Sequence, residues 1–199
     1  MNQLYQIIKR TLDFLLALLG LILSSFLFII ISILIKLDSK GPVFFRQTRI
    51  GKNEKIFEIL KFRTMVEKAE KFPLSAMEIR KLEITDQDPR VTKIGHFLRR
   101  LALDELPQLI NILKGDMSFV GPRPYCLVRM ETNDLLKKRT AAKPGLTSLV
   151  VIKGGFCSSE KDILRYDLEY IEKQNFWLDA EIFIKTLWLL LSGKGFYGK

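Results

Sequence analysis

Residues 14–35 form a run of 22 without a charged side chain, softened only by Gly20, Ser24, Ser25 and Ser32. As a helix this run extends about 33 Å, enough to cross the hydrocarbon of a bilayer. A cleaved signal peptide is the competing reading. The stretch is longer than the usual core of one, and no small-residue cleavage site separates Ile35 from Lys36 and Lys40. A membrane segment is therefore expected, and the rest of the chain must be arranged around it.

Its flanks conflict. Lys9 and Arg10 precede the run, while Lys36, Lys40, Arg46, Arg49, Lys52 and Lys55 follow it, so both ends favour the cytoplasmic side. Residues 36–72 hold ten Lys or Arg against five Asp or Glu, a balance suited to anionic headgroups. A helix that enters and turns back removes the conflict. Ser24 and Ser25 lie mid-run, where their hydroxyls reach upstream carbonyls and can bend a helix; two small polar residues in an ordinary span remain the alternative.

Beyond the run the chain reads as one body without repeats or a domain-separating linker. With 48% hydrophobic and 27% charged residues it has apolar mass for a core and a solvated surface, which excludes disorder as the main state. The net charge of +10 points to phosphates, nucleic acid or an anionic membrane. Cys126 and Cys157 are the only cysteines and His96 the only histidine. That excludes a disulfide scaffold, a zinc site of the usual spacing and a multi-imidazole metal site. Reduced, buried thiols and a surface or capping His96 are expected.

Residues 43–50 and 55–62 are β-prone runs around the turn 51–53 and predict a hairpin. The polar stretch 68–90 predicts a loop with a short helix near 76–82. Within 94–115, Phe97, Leu98, Leu101 and Ala102, then Leu106, Leu109, Ile110 and Leu113, repeat at helical spacing, and Pro107 forbids one continuous helix. The economical division makes Asp104 the N-cap of the second helix, places Pro107 in its first turn and stops it at Gly115. Asp104 and Glu105 then sit at a helix N-terminus, and simple capping is the bland alternative to a functional role. In 117–124, Gly121, Pro122 and Pro124 restrict the loop that carries Arg123, which suits a phosphate clamp. Lys143-Pro144-Gly145 predicts a turn, and Ser159 with Asp162 a capping box opening a helix to about Glu172. A last helix is expected over 179–191, with Trp177 just ahead and Trp188 within. Core packing is expected for most of that face, with burial in the headgroup layer second.

Taken together, Lys9-Arg10 with Asp13, Gly41-Pro42-Val43-Phe44, Lys61-Phe62-Arg63-Thr64-Met65, Asp88-Pro89-Arg90, Leu103-Asp104-Glu105-Leu106-Pro107-Gln108, the 115–124 stretch and Lys143-Pro144-Gly145-Leu146-Thr147 resemble the bacterial sugar transferases known as small monotopic phosphoglycosyl transferases. The resemblance covers nearly the whole chain. It implies an α+β, mostly helical protein: an N-terminal re-entrant membrane helix (1–37), and a compact cytosolic catalytic domain (38–199) with a small β-hairpin and amphipathic interfacial helices. A member without the extra N-terminal membrane helices of larger relatives is expected.

The implied activity is transfer of a phosphosugar from a UDP-sugar to polyprenyl (undecaprenyl) phosphate at the cytoplasmic face of the bacterial inner membrane, an early step of glycoconjugate assembly, with Mg²⁺. Membrane lipids are implied partners and nucleic acid is not. By the resemblance Asp104 is the nucleophile, Glu105 with Asp104 holds the metal, and Lys61, Arg99 and Arg123 hold phosphate oxygens. Two departures stand out. Ser24-Ser25 replaces the usual Ser-Pro at the membrane break, so a kink there cannot come from proline, and residues 148–153 lack the usual polar Gln and Asn. The altered segment makes unusual donor preference, or an impaired relative retained as a partner, the alternative expectation. A membrane-anchored protein that binds anionic ligands without chemistry is a further one, but it has no use for Asp104-Glu105.

Overall fold

The apolar run is part of one helix, α1 (Gln3–Asp38), of 36 residues. The computed structural model describes residues 3–69, 88–126, 134–153 and 159–192. The short helix expected near 76–82 and the burial of Cys126 and Cys157 lie outside what is described. No break occurs at Ser24-Ser25: the helix runs through both, and their hydroxyls donate to the carbonyls of Gly20 (2.6 Å) and Ile22 (2.8 Å). The expected membrane break is thus corrected to an unbroken helix, in which short hydroxyl side chains satisfy themselves on the preceding turn.

One stripe of α1 is buried, through Asp13, Ala17, Ser24, Ile31 and Ile35. Ala17 packs with Phe57, Ile59, Leu109, Ile112 and Met117, and farther along Ile31 and Ile35 pack with Phe62 and Leu98. Gly20 permits this approach, since a Cβ there would stand 3.1 Å from Leu109 Cδ1. Elsewhere α1 exposes Leu15, Ile22, Leu23, Phe26, Ile29 and Ile33.

Both ends of α1 are tied to the same body. Arg10 donates to the carbonyls of Ile112 (2.7 Å) and Leu113 (2.8 Å). Asp13 accepts from the Ser118 hydroxyl (3.1 Å) and the Phe119 amide (3.0 Å). Lys9 pairs with Asp179 at 2.6 Å and donates to the Val120 carbonyl at 2.9 Å. At the other end Asp38 accepts from the Ile94 amide (3.0 Å), and Arg63 donates to the Ser39 carbonyl (2.8 Å). Lys9 and Arg10, expected as flanking charges that mark a membrane side, are internal anchors.

The hairpin is as expected: β1 (Phe44–Ile50) pairs antiparallel with β2 (Ile56–Phe62), from Phe44 opposite Phe62 to Ile50 opposite Ile56. Asn53 takes the left-handed conformation at the turn, where a short amide side chain is tolerated. A third strand joins β1 on its other side (Tyr125–Cys126).

The next segment corrects the helix boundary. Helix α2 (Lys93–Arg100) is capped by Thr92, whose hydroxyl accepts from the Gly95 amide. The backbone then turns left-handed at Ala102, makes a single tight 3₁₀ turn over Leu103–Glu105, and enters α3 (Gln108–Lys114) with Pro107 in the cap position. Asp104 therefore does not cap α3. Its place on the tighter turn follows from the left-handed Ala102, which a capping argument from residue type cannot foresee. Gly115 ends α3 at φ +91°, as expected of a glycine there.

Beyond α3, β3 (Ser118–Val120) lies parallel to a short strand (Gly145–Thr147). A Cβ on Gly121 would stand 2.2 Å from the Lys143 carbonyl, and one on Gly145 2.2 Å from the Gly121 nitrogen. Two motifs that look separate in sequence are thus one interlocked pair of loops. Residues 149–153 are a helix, α5 (Leu149–Lys153), following α4 (Asp134–Arg139). Most of the altered 148–153 segment is accordingly helical, with Leu149 in a core cluster beside Tyr170 and Ile182. Ser159 caps α6 (Glu160–Lys173) by accepting from the Asp162 amide.

The last helix, α7, spans Phe176–Leu191 and so includes Trp177. Only Ile182 and Thr186 are buried on it; Trp177 is 79% and Trp188 60% exposed. The expected core packing of that face is corrected: Asp179 turns inward to Lys9 and Tyr170 with Ile182 and Thr186, which leaves both tryptophans outward.

Candidate active site

Leu103 and Leu106 pack against the cluster of Ile31, Ile35, Phe62 and Leu98, and Leu106 also touches the Leu109 cluster. They pin the tight turn from inside and leave Asp104 and Glu105, between them, half-buried. On β2 the side chains of Phe57, Ile59 and Lys61 share one face. The first two are core, and Lys61 emerges where that face meets the turn, its Nζ 2.5 Å from Glu105 Oε1. Arg99, in the last turn of α2, donates through Nε to the Thr64 hydroxyl at 3.0 Å.

Burial pushes the Asp104 carboxyl above the usual aspartate range; the charge of Lys61, and less strongly that of Arg99, opposes the rise, while Glu105 adds to it. A carboxylate held between two cations, beside a second carboxylate and near the surface, is placed to meet an anionic phosphorus centre.

Two supports hold this arrangement. The Asn111 amide donates to the Glu58 carbonyl (2.7 Å) and accepts from the Leu60 amide (3.0 Å), which locks α3 to β2. Asp88 and Arg90, both buried, form a two-pronged pair at 2.9 and 2.6 Å. Val66 then donates to the Arg90 carbonyl, and Thr92 to that of Thr64. A Cβ on Gly95 would stand 2.1 Å from the Thr64 oxygen, so α2 can approach Thr64 this closely only through glycine.

Lys61, Arg99, Asp104 and Glu105 are thus brought together. Arg123 belongs to a neighbouring cluster: its amide donates to Asp167 (3.3 Å), its carbonyl accepts from Arg139 (3.0 Å), and its side chain is exposed. Arg139 and Asp167 are themselves a buried pair, with Nε to Oδ2 at 2.6 Å. Sequence reasoning missed Thr64, Asn111 and Arg139 as site-building residues. Thr64 lies within the Lys61-Phe62-Arg63-Thr64-Met65 motif, whereas Asn111 and Arg139 carry no local signal.

Among the described residues no group of three or more His, Cys, Asp or Glu could hold a metal ion. Asp104 and Glu105 alone fit Mg²⁺ in its common manner, in which one or two carboxylates are completed by water and substrate phosphates.

A family model for bacterial sugar transferases matches residues 4–193. The chain belongs to that family. Its relatives include the UDP-N-acetylgalactosamine-undecaprenyl-phosphate N-acetylgalactosaminephosphotransferase of Aeromonas hydrophila, 36% identical over 98% of this chain and 46% of that protein. The UDP-glucose:undecaprenyl-phosphate glucose-1-phosphate transferase of Escherichia coli K12 is 41% identical over 98% of this chain and 41% of that protein. The exopolysaccharide production protein ExoY of Rhizobium meliloti is 38% identical over 95% of this chain and 88% of that protein. This member of the bacterial sugar transferase family spans less than half the length of the first two and most of the third.

Proposed function

We propose that this chain moves a phosphosugar from a UDP-sugar to polyprenyl (undecaprenyl) phosphate and releases UMP. The observation that carries the reading is the half-buried Asp104 on its tight turn between Lys61 and Arg99, in a chain whose relatives are named as undecaprenyl-phosphate sugar phosphotransferases. An Asp104 carboxylate oxygen attacks the sugar-bearing phosphorus, the bond from that phosphorus to the bridging oxygen breaks, and UMP departs with the electron pair. A phosphate oxygen of the lipid then attacks the same phosphorus and frees the carboxylate. Lys61 and Arg99 hold phosphate oxygens, and Arg123 meets the donor from the adjoining loop. Glu105, with Asp104, would bind Mg²⁺, which when present neutralises diphosphate charge.

The membrane arrangement belongs to the same reading. Asp13 and Asp38 bracket the apolar run and both bond to one folded body, which supports a monotopic protein on the cytoplasmic face of the inner membrane, with the outer side of α1 in lipid. Cysteines placed at residues 3 and 40, in a background lacking Cys126 and Cys157, are expected to label from the same side. Labelling from opposite sides would restore a straight span.

Incubating the purified protein with a panel of UDP-sugars, polyprenyl phosphate and Mg²⁺ is expected to release UMP with at least one donor and to trap a phosphosugar on Asp104 when the lipid is withheld. UMP release without label on Asp104 would remove the covalent step. Absence of release with every donor would point to the impaired relative that the altered 148–153 segment allows.

A further inference from the structure

Lys143 takes no part in the chemistry above. The interlocked loops fix its backbone: the Pro144 carbonyl accepts from the Ser118 amide, and the Gly145 amide donates to the Pro122 carbonyl, both at 2.9 Å. Its half-buried side chain makes no hydrogen bond or ion pair among the described residues. Arg10, bound through two α3 carbonyls, projects into the same space. The point where a Cβ of Gly115 would lie is 3.2 Å from Arg10 Nη2 and 3.5 Å from Lys143 Nζ. Two cations therefore converge over a bare glycine, and Lys52 adds a third charge nearby.

The acidic groups that face them, Asp13 and Asp116, offset part of this charge and are themselves engaged elsewhere. Asp13 is engaged by Ser118 and Phe119, and Asp116 lies 3.9 Å from Lys55. Burial, and then the charges of Arg10 and Lys52, push the Lys143 ammonium below its usual range, a strain that an added anion relieves.

A cavity of about 50 Å³ adjoins this space, lined by Gln6, Lys9, Arg10, Asp13, Lys143 and Gln174 among others. Lys9 is already bonded to Asp179 and Val120. The Gln6 Nε2, by contrast, is a buried donor without a partner. An unpartnered amide donor beside two converging cations suits a ligand rich in acceptors. The volume admits about one or two water-sized groups, which suits one or two oxygens of a phosphate and excludes a nucleotide.

We propose that Gln6, Arg10 and Lys143 form a second phosphate site over Gly115, at the end of α3 away from the Asp104 turn, and that it takes the phosphate of an anionic phospholipid headgroup. The lipid source follows from position. Ile7, Ile8 and Leu12 are exposed around these residues, and the charge-free run starts at Phe14, so the cavity sits where α1 passes from polar to apolar surroundings. Free inorganic phosphate offers the same oxygens. The site rests on α1 lying against a bilayer, and not on the transfer chemistry.

The test uses the full chain in neutral detergent, titrated in one arm with short-chain phosphatidylglycerol and read by native mass spectrometry, and in the other with inorganic phosphate by calorimetry. Saturable binding of one phosphatidylglycerol is expected, weakened about tenfold by Lys143→Met and restored by Lys143→Arg. Gln6→Leu, which removes a donor but no charge, should weaken it several-fold, and Lys161→Met on exposed α6 by less than about twofold. Melting curves establish that each variant is folded. Equal losses from Lys143→Met and Lys161→Met, or no loss from the former, would overturn the site. Binding of inorganic phosphate alone, with the same dependence on Lys143, supports the phosphate site and reassigns its source. Binding in neither arm overturns both. Because neither readout is UMP release, failure here is distinguishable from failure of the proposed transferase activity.

Discussion

Two regions gather opposite charges around a stretch of α1, and they use them differently. At the junction of α1 with α7, Lys9, Asp179, Tyr5 and Tyr170 close on one another: Tyr5 donates to Asp179 at 2.8 Å and Tyr170 at 2.7 Å, beside the Lys9 pair. At the Asp104 turn, Lys61 and Arg99 each hold a neighbour, Glu105 or Thr64, while Asp104 stays half-buried with its charge only partly offset. The first region spends its charges on assembly. The second keeps one in reserve, and that reserve, more than the density of charge, marks a place for chemistry.

Substituting the reserved carboxylate gives the largest expected effect. Asp104→Asn should lower UMP release by at least about a thousandfold while the melting temperature holds or rises. The sign follows from burial, which raises the carboxyl pKa in the folded state; at neutral pH the ionised form costs stability, and the amide removes that cost. A collapse of the fold would place Asp104 with the assembly charges instead.

Next comes the pair beneath the site. Arg90 holds the Asp88 carboxyl below the usual range, so its contribution is present above the unfolded-state value and is lost as pH falls through the lower folded value. Asp88→Asn removes the negative charge that faces buried Arg90 and is expected to cost about 3 kcal/mol near neutrality. That difference should shrink in urea titrations carried toward pH 3. A difference independent of pH would mean that shape, and not charge, does the holding.

Lys9→Met tests the assembly side. About 2–3 kcal/mol of stability should be lost, with little change in turnover per folded molecule; a selective loss of turnover would blur the contrast. Smallest is Arg123→Lys, expected to lower kcat/KM about ten- to a hundredfold with only a small change in melting temperature, since the positive charge is kept and the backbone amide and carbonyl of residue 123 retain their bonds to Asp167 and Arg139.

Legibility followed range. The hairpin, the stop at Gly115 and the Ser159 cap are local, and residue type suffices to place them. Asp104-Glu105 stood out because two adjacent carboxylates between arginines are unusual in a cationic chain. The turn beneath them is not legible because a left-handed Ala102 has no mark in composition. Lys9 and Arg10 look like flanking charges in sequence because their partners, Asp179 and the carbonyls of Ile112 and Leu113, lie more than a hundred residues away. The outward tryptophans of α7 have a related cause: its inward side is set by Asp179 and Thr186, whose partners Lys9 and Thr147 (2.6 Å) are distant in sequence.

The Asn111 amide has one more consequence. In an antiparallel sheet a slip of one residue turns every side chain to the opposite surface, which here would carry Lys61 away from Glu105 and drive Phe62 out of its contacts with Phe28 and Phe44. Asn111 bonds the backbone of residues 58 and 60 as a neighbouring strand would, so it works as a ratchet pawl on β2. It also closes that stretch of edge to any other chain seeking to pair with it. A single amide on a seven-residue helix thereby sets which way Lys61 faces.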